Sequence, residues 1–358
     1  MPIVPAFGHE ELRRRLADAR ARGALPASIL FHGSRGVGKQ RLALWLGQLL
    51  LCSSPKAEPC GACQHCRFVS DLRHPDLSWF FPRPRLKDSD PDLADVRADY
   101  AEAIAERVAD DGLYPPPSGA EGIYIATVRA LVQQAAMSPA LGARKVFVVG
   151  DAERMVPQEG SEQAANAFLK LLEEPPDDTT VIVTSSEPGA LLPTIRSRVT
   201  SFRVAPLAPA PMKAFLDHPA VSQRLKGERI PASTGDRLSF AAGAPGRLLW
   251  GAEWSLAMET AERMLASIGR KGGSQRYDIA WQQASSKARG SFADTLDALS
   301  VALHGRARDA AGRGLERQAL GASRAMEAIE VAKERITTNV NPQLITVNLL
   351  RELQDLLA

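Results

Sequence analysis

Two kinds of apolar pattern follow one another along the chain. In the first two hundred residues, short runs alternate with stretches of helical spacing. The runs are Ile29-Leu30-Phe31, Leu77 to Phe81, Lys145 to Gly150, Thr180 to Ser185 and Ser201 to Val204. Each predicts a strand, and the third is nearly continuously apolar, as expected for a parallel sheet covered on both faces. Between them, 9–22 places Leu12, Leu16 and Ala19 on one helical face, and 39–51 and 126–137 continue the pattern. A helix over 164–174 carries apolar positions at 168, 171 and 172 and stops at Pro175-Pro176. Strands alternating with helices predict an α/β doubly wound domain that ends near residue 204.

Beyond Val204 to Pro211, a proline-rich joint, a compact helical segment runs to about 250. From 252 the spacing is of threes and fours, with no proline until Pro342. It predicts helices over 253–269, 275–287, 291–311 and 315–356, the last restarted at Asn341-Pro342. One stretch breaks the alternation. Residues 82–122 hold a run of acids from Asp88 to Asp111 and then Pro115-Pro116-Pro117. With Ala, Leu and Ile enough for a helix over 92–109, this reads as an exposed insertion, either a partner surface or a solvated excursion.

Composition changes this picture little. With 358 residues there is room for two or three domains, and 45% hydrophobic and 24% charged residues are ordinary globular values. No apolar run is long enough to span a bilayer, and the amino terminus lacks the pattern of a signal peptide, so a cytoplasmic protein is expected. A net charge of +3 is too small to imply nucleic acid by itself. Arg13, Arg14, Arg15, Arg20 and Arg22 could follow a DNA backbone or form a solvated helix face.

Candidate chemistry is concentrated at two places. Gly33-Ser34-Arg35-Gly36-Val37-Gly38-Lys39 lies between the first strand and a helix, the context of a phosphate-binding loop. Glycines let backbone N–H groups converge on phosphate oxygens, and Lys39 can reach a terminal phosphate. The next residue is Gln40, where a hydroxyl normally holds Mg²⁺. The strand at 145–149 ends in Gly150-Asp151, with Gly150 at the position of the metal-binding carboxylate. Asp151 is either a water-polarising acid or a residue favoured at a helix amino end. All four cysteines, Cys52, Cys60, Cys63 and Cys66, fall within 52–66. Two overlapping C-x-x-C turns and a fourth thiol predict a closed, structural Cys₄ zinc site, against unligated cysteines or an iron–sulfur cluster.

Together these features resemble the AAA+ clamp-loader family of bacterial DNA polymerase III. The residues that carry the resemblance are Leu25-Pro26, cysteines 52–66, Ala165 to Pro176, and Leu192-Pro193-Thr194-Ile195-Arg196-Ser197-Arg198. It covers 7–80 and 123–250 specifically; Val199, where the family's motif has cysteine, departs from it. The resemblance implies an α/β AAA+ P-loop domain with a five-stranded parallel sheet and an inserted zinc module (1–204), a small helical lid (205–250) and an all-α collar (251–358). It implies a ring with gamma/tau and delta subunits that loads a sliding clamp on primed DNA. Arg198 matches the arginine that enters a neighbour's nucleotide site, with Arg196 close by, and Arg247 falls near a nucleotide-sensing position. With Gln40 and Gly150 as they are, a non-hydrolysing, stator-like subunit is implied, binding ATP weakly at Gly33, Gly36, Gly38 and Lys39. A hydrolysing motor subunit, or a zinc-dependent nucleic-acid-binding protein with a vestigial nucleotide fold, are the alternatives.

Overall fold

The computed structural model describes residues 3–88, 91–117, 121–155, 162–268, 278–281, 289–337 and 341–357. It divides into two compact units, residues 1–227 with 231–249, and residues 228–230 with 250–358.

The first unit is built on a five-stranded sheet in the order β2-β3-β4-β1-β5. Its strands are β1 (Ser28–His32), β2 (Leu77–Phe80), β3 (Lys145–Val149), β4 (Thr179–Ser185) and β5 (Thr200–Arg203), and every pairing is parallel. The apolar runs explain the inner positions. Ile29, Phe31, Val146, Val148, Val181, Ile182 and Val183 are fully buried, because parallel strands are covered on both faces. All five strands expected from sequence are present, within a residue or so at each end.

Strand β1 delivers the glycine loop. The Val204 N–H donates to His32 O at 2.7 Å, drawing the end of β5 against Gly33. A Cβ on Gly33 would stand 2.3 Å from Val204 O, so only glycine fits. Helix α1 (Glu10–Ala21) precedes this strand and helix α2 (Lys39–Leu51) follows the loop, with nearly its whole length buried. Helix α3 (Gln64–Ser70) follows the cysteines. Helix α5 (Ile125–Ala135) precedes β3, α6 (Glu162–Glu173) precedes β4, and the short α7 (Pro193–Arg196) precedes β5. Three short helices, α8 (Pro209–Asp217), α9 (Pro219–Arg224) and α10 (Thr234–Ala241), follow the proline-rich joint. That joint is fastened by Leu207 N–H donating to Gly243 O at 2.7 Å.

The 82–122 insertion is more than a solvated excursion, and that reading is corrected. Its helix α4 (Leu93–Ala109) begins at a capping box of Asp92 and Asp95. Val96, Tyr100 and Ala103 form a buried stripe, and Tyr100 OH donates to Phe81 O at 2.6 Å. Arg83 grips Asp99 with a two-bond fork at 3.0 and 2.9 Å. Asp95, Glu102 and Glu106 are exposed.

The second unit is helical. Gly251–Ile268, Arg289–Gly312, Glu316–Thr337 and Pro342–Leu357 pack around Trp254, Met264, Leu296, Leu299, Ile329, Leu350 and Leu353. Lys333 is paired with Asp297 at 2.7 Å and with Glu330 at 2.9 Å. Of the helix expected over 275–287, residues 278–281 are helical and the rest lies outside the described residues.

Candidate nucleotide site and cysteine cluster

The glycine loop has the backbone its sequence demands. Gly36 and Gly38 adopt φ of 79° and 98°, left-handed values that favour glycine, and Gly38 caps α2. The amino end of that helix faces the loop, as phosphate binding requires. Lys39, buried at the first helical position, donates from Nζ to Gly33 O and Ser34 O, both at 3.0 Å, and to Ser186 Oγ at 2.8 Å. Two further segments reach the loop. His9 Nε2 lies 3.1 Å from Val37 O; burial lowers the pKa of this imidazole, and its Nε2–H serves as the donor. Gly246 N–H donates to Gly36 O at 2.9 Å. Its neighbour Arg247 is 3% exposed and donates from Nη1 to Ala241 O at 3.1 Å.

The metal end of the loop is occupied by an amide network. Gln40 Nε2 donates to Asp151 Oδ2 at 2.9 Å. Gln40 Oε1 accepts from Trp79 Nε1 at 3.0 Å and from Tyr114 OH at 3.3 Å. Arg107 lies against these rings, its guanidinium carbon 3.2, 3.8 and 4.2 Å from the ring centres of Phe81, Tyr114 and Trp79. Burial lowers the Arg107 pKa to about 10 and raises that of Tyr114. Asp151 takes a left-handed conformation, φ 48°, ahead of a short 3₁₀ turn.

Sequence reading missed Glu153. Its Oε1 accepts the Ser186 N–H at 2.9 Å, while Oε2 is buried without a hydrogen-bond partner among the described residues. Burial, with Asp151 and Glu187 nearby, raises its pKa to about 7, against the pull of Lys39. The only sequence signal was its place two residues after Asp151. Asp76 was missed too. Its carboxylate accepts the backbone N–H groups of Ala140, Leu141 and Gly142 at 2.5, 2.9 and 2.6 Å. Burial opposes its ionisation, but these bonds prevail and hold its pKa below the usual carboxylate value.

At the second place the four cysteine sulfurs lie within 4.8 Å of one another. Cys60 and Cys66 sulfurs are 3.9 Å apart, and those of Cys63 and Cys52 are 4.0 Å apart. These separations exclude disulfides, whose sulfurs lie about 2 Å apart. They fit a tetrahedron with Zn–S bonds of about 2.3 Å, which sets sulfurs about 3.8 Å apart. Backbone N–H groups of Cys60, Cys63 and Cys66 donate to the Cys52, Cys60 and Cys63 sulfurs at 3.3, 3.4 and 3.4 Å. At Cys63 burial opposes the thiolate, but hydrogen bonds win and lower its pKa to about 6; burial pushes Cys66 up. The donor set is consistent with a structural zinc site, all four ligands being protein thiols. Glu58 ties the loop down by accepting from Trp45 Nε1 at 2.7 Å and from Arg13. Arg13 therefore leaves the group of arginines read as a solvated face or a DNA contact.

Arg198 stands apart from both places, in the turn between α7 and β5. Its Nε donates to Glu173 Oε2 and its Nη1 to Thr194 O, both at 3.0 Å. The side chain is 29% exposed, its partner 57%.

A profile of the family described as "DNA polymerase III, delta subunit" matches residues 8–208, more than half of the chain. DNA polymerase III subunit delta' of Bacillus subtilis is 28% identical over 201 residues, covering 56% of this chain and 49% of the relative. The delta' subunit of Pseudomonas aeruginosa is 31% identical over 172 residues, covering 48% and 40%. A gamma/tau subunit of Mycobacterium tuberculosis is 31% identical over 215 residues, covering 60% and 30%. The chain thus spans about half or less of the length of these curated relatives. The matched residues hold the sheet, the glycine loop, the cysteine cluster and Arg198, and the chain belongs to the DNA polymerase III delta' subunit family, a AAA+ relative of the clamp-loader subunits.

Proposed function

We propose that this chain is a non-hydrolysing, stator-like subunit of a DNA polymerase III clamp loader, and that Arg198 acts at the nucleotide site of a neighbouring subunit. The observation that carries the reading is the setting of Arg198. Its partner Glu173 is exposed, and such a pair is worth about 1 kcal/mol or less, so the guanidinium is cheaply released. A permanently charged, planar guanidinium suits the charge that develops on a γ-phosphate, an effect worth about 10³-fold or more where supplied in trans. In this reading the partners are gamma/tau and delta subunits in a ring, with the sliding clamp and primed DNA reached through the complex. Residues 205–250 serve as a lid and 251–358 as a collar. The zinc site is structural, and nucleotide binds at Gly33 to Lys39 weakly or not at all. The test is a reconstituted loader in which Arg198→Ala suppresses ATP hydrolysis while assembly persists; unchanged hydrolysis rejects the assignment.

A motor subunit is the second reading, favoured by the intact Gly36, Gly38 and Lys39 and by the gamma/tau relatives. It requires Mg²⁺-dependent turnover of about 1 s⁻¹ or faster by the isolated chain.

A further inference from the structure

Gln40 and Gly150, unrelated in sequence, compete for one volume. A Cβ on Gly150 would stand 2.4 Å from Gln40 Oε1, 2.5 Å from Cδ and 2.8 Å from Nε2. The end of a side chain can usually swing aside. This one is 8% exposed and held by Trp79, Tyr114 and Asp151, so moving it breaks all three bonds. The converse also holds. A short hydroxyl at position 40 would leave the Trp79 and Tyr114 donors and the Asp151 carboxylate without their partner.

The AAA+ fold implies Mg²⁺ with its nucleotide, and the residues here do not fit it. Mg²⁺ takes oxygen donors in near-octahedral geometry and binds phosphates with one or two carboxylates. At this end of the loop the amide oxygen already accepts two hydrogen bonds, Gly150 offers no carboxylate, and Asp151 accepts from the amide. Positive charge is supplied by protein instead. Arg107 stacks on the Trp79, Phe81 and Tyr114 rings, and Arg41 donates to Gly112 O at 2.6 Å. Tyr114, Arg107 and Gly112 all come from the 82–122 insertion.

We propose that Gln40, Gly150, Trp79, Tyr114 and Asp151, backed by Arg107, form a plug that replaces the divalent metal of the nucleotide site. Holding that plug in place is the role of the 82–122 insertion. The inference deepens the non-hydrolysing reading and rests on it for its consequence, but its test needs no turnover.

The experiment is a thermal-unfolding cycle on the full chain with Gln40→Thr, Gly150→Asp and the double variant. Each single change is expected to lower the melting temperature by about 3–6 °C, and the double variant to recover most of the summed loss, since contacting residues couple. Additive losses overturn the plug. Should Gly150→Asp fail to fold, Gly150→Ala introduces the same Cβ and replaces it in the cycle. In the native chain, ATP is expected to shift the melting temperature equally, or not at all, with and without added Mg²⁺; a Mg²⁺-dependent shift overturns the proposal. ATP turnover by the isolated chain with the cycle still coupled would reject the non-hydrolysing reading alone.

Discussion

The molecule has two places where its sequence suggests a metal, and they are built in opposite ways. At the cysteine cluster the four sulfurs converge within 4.8 Å and accept backbone N–H groups at 3.3 to 3.4 Å. Such a group gains from a cation that draws the four thiolates together. At the end of the glycine loop Gln40, Asp151, Trp79 and Tyr114 satisfy one another: amide to carboxylate, indole and phenol to amide. A cation there must first break bonds that are already made. A binding site is therefore recognised by what its donors lack as much as by which donors are present.

The largest effect is expected at the cysteines. Chelation or Cys63→Ser should remove about one zinc per chain and destabilise the first unit by several kcal/mol, since structural zinc binding is folding free energy. Metal analysis with thermal unfolding checks it, and a metal-free native chain of unchanged stability would contradict a structural zinc site. Next is Gln40→Ala, which strands buried partners and should cost about 2 kcal/mol by denaturant titration. A loss below about 0.5 kcal/mol would mean the network contributes little.

A third test uses pH. The Glu153 pKa rises from its ordinary 4.5 to about 7 on folding, chiefly through burial. Folding therefore favours the protonated acid, and its contribution is fully present below about pH 4.5 and lost as pH rises through about 7. Glu153→Gln should stabilise the chain at pH 8 by roughly 1–3 kcal/mol and change little at pH 4.5. Equal effects at both values would contradict the assignment. The smallest expected effect is on folding by Arg198→Ala, about 1 kcal/mol or less, because its ion pair is exposed.

Much of this architecture was legible in the sequence because local pattern and burial agree. The run Val146 to Val149 is apolar because β3 is covered on both sides, and C-x-x-C spacing brings thiols together within a single loop. What escaped depends on distant segments meeting. Nothing local marks Tyr114 as the partner of Gln40, 74 residues away, or Glu58 as the partner of Arg13, 45 residues away. The insertion was misread for a different reason. Its many acids suggested a solvated helix, yet Val96, Tyr100 and Ala103 keep the i, i+4, i+7 spacing of a buried stripe. Gln40 and Gly150 were visible as departures from a phosphate-binding pattern, but their mutual dependence is steric and needs coordinates.

In the proposed function, this chain's own nucleotide site is chemically silent and its contribution lies at a neighbour's. The most direct measurement is steady-state ATP hydrolysis by a reconstituted loader carrying either Lys39→Ala or Arg198→Ala in this subunit alone. Unchanged hydrolysis is expected with Lys39→Ala, and a loss of about tenfold or more with Arg198→Ala, in complexes of equal composition. Hydrolysis that falls with Lys39→Ala and survives Arg198→Ala would contradict it.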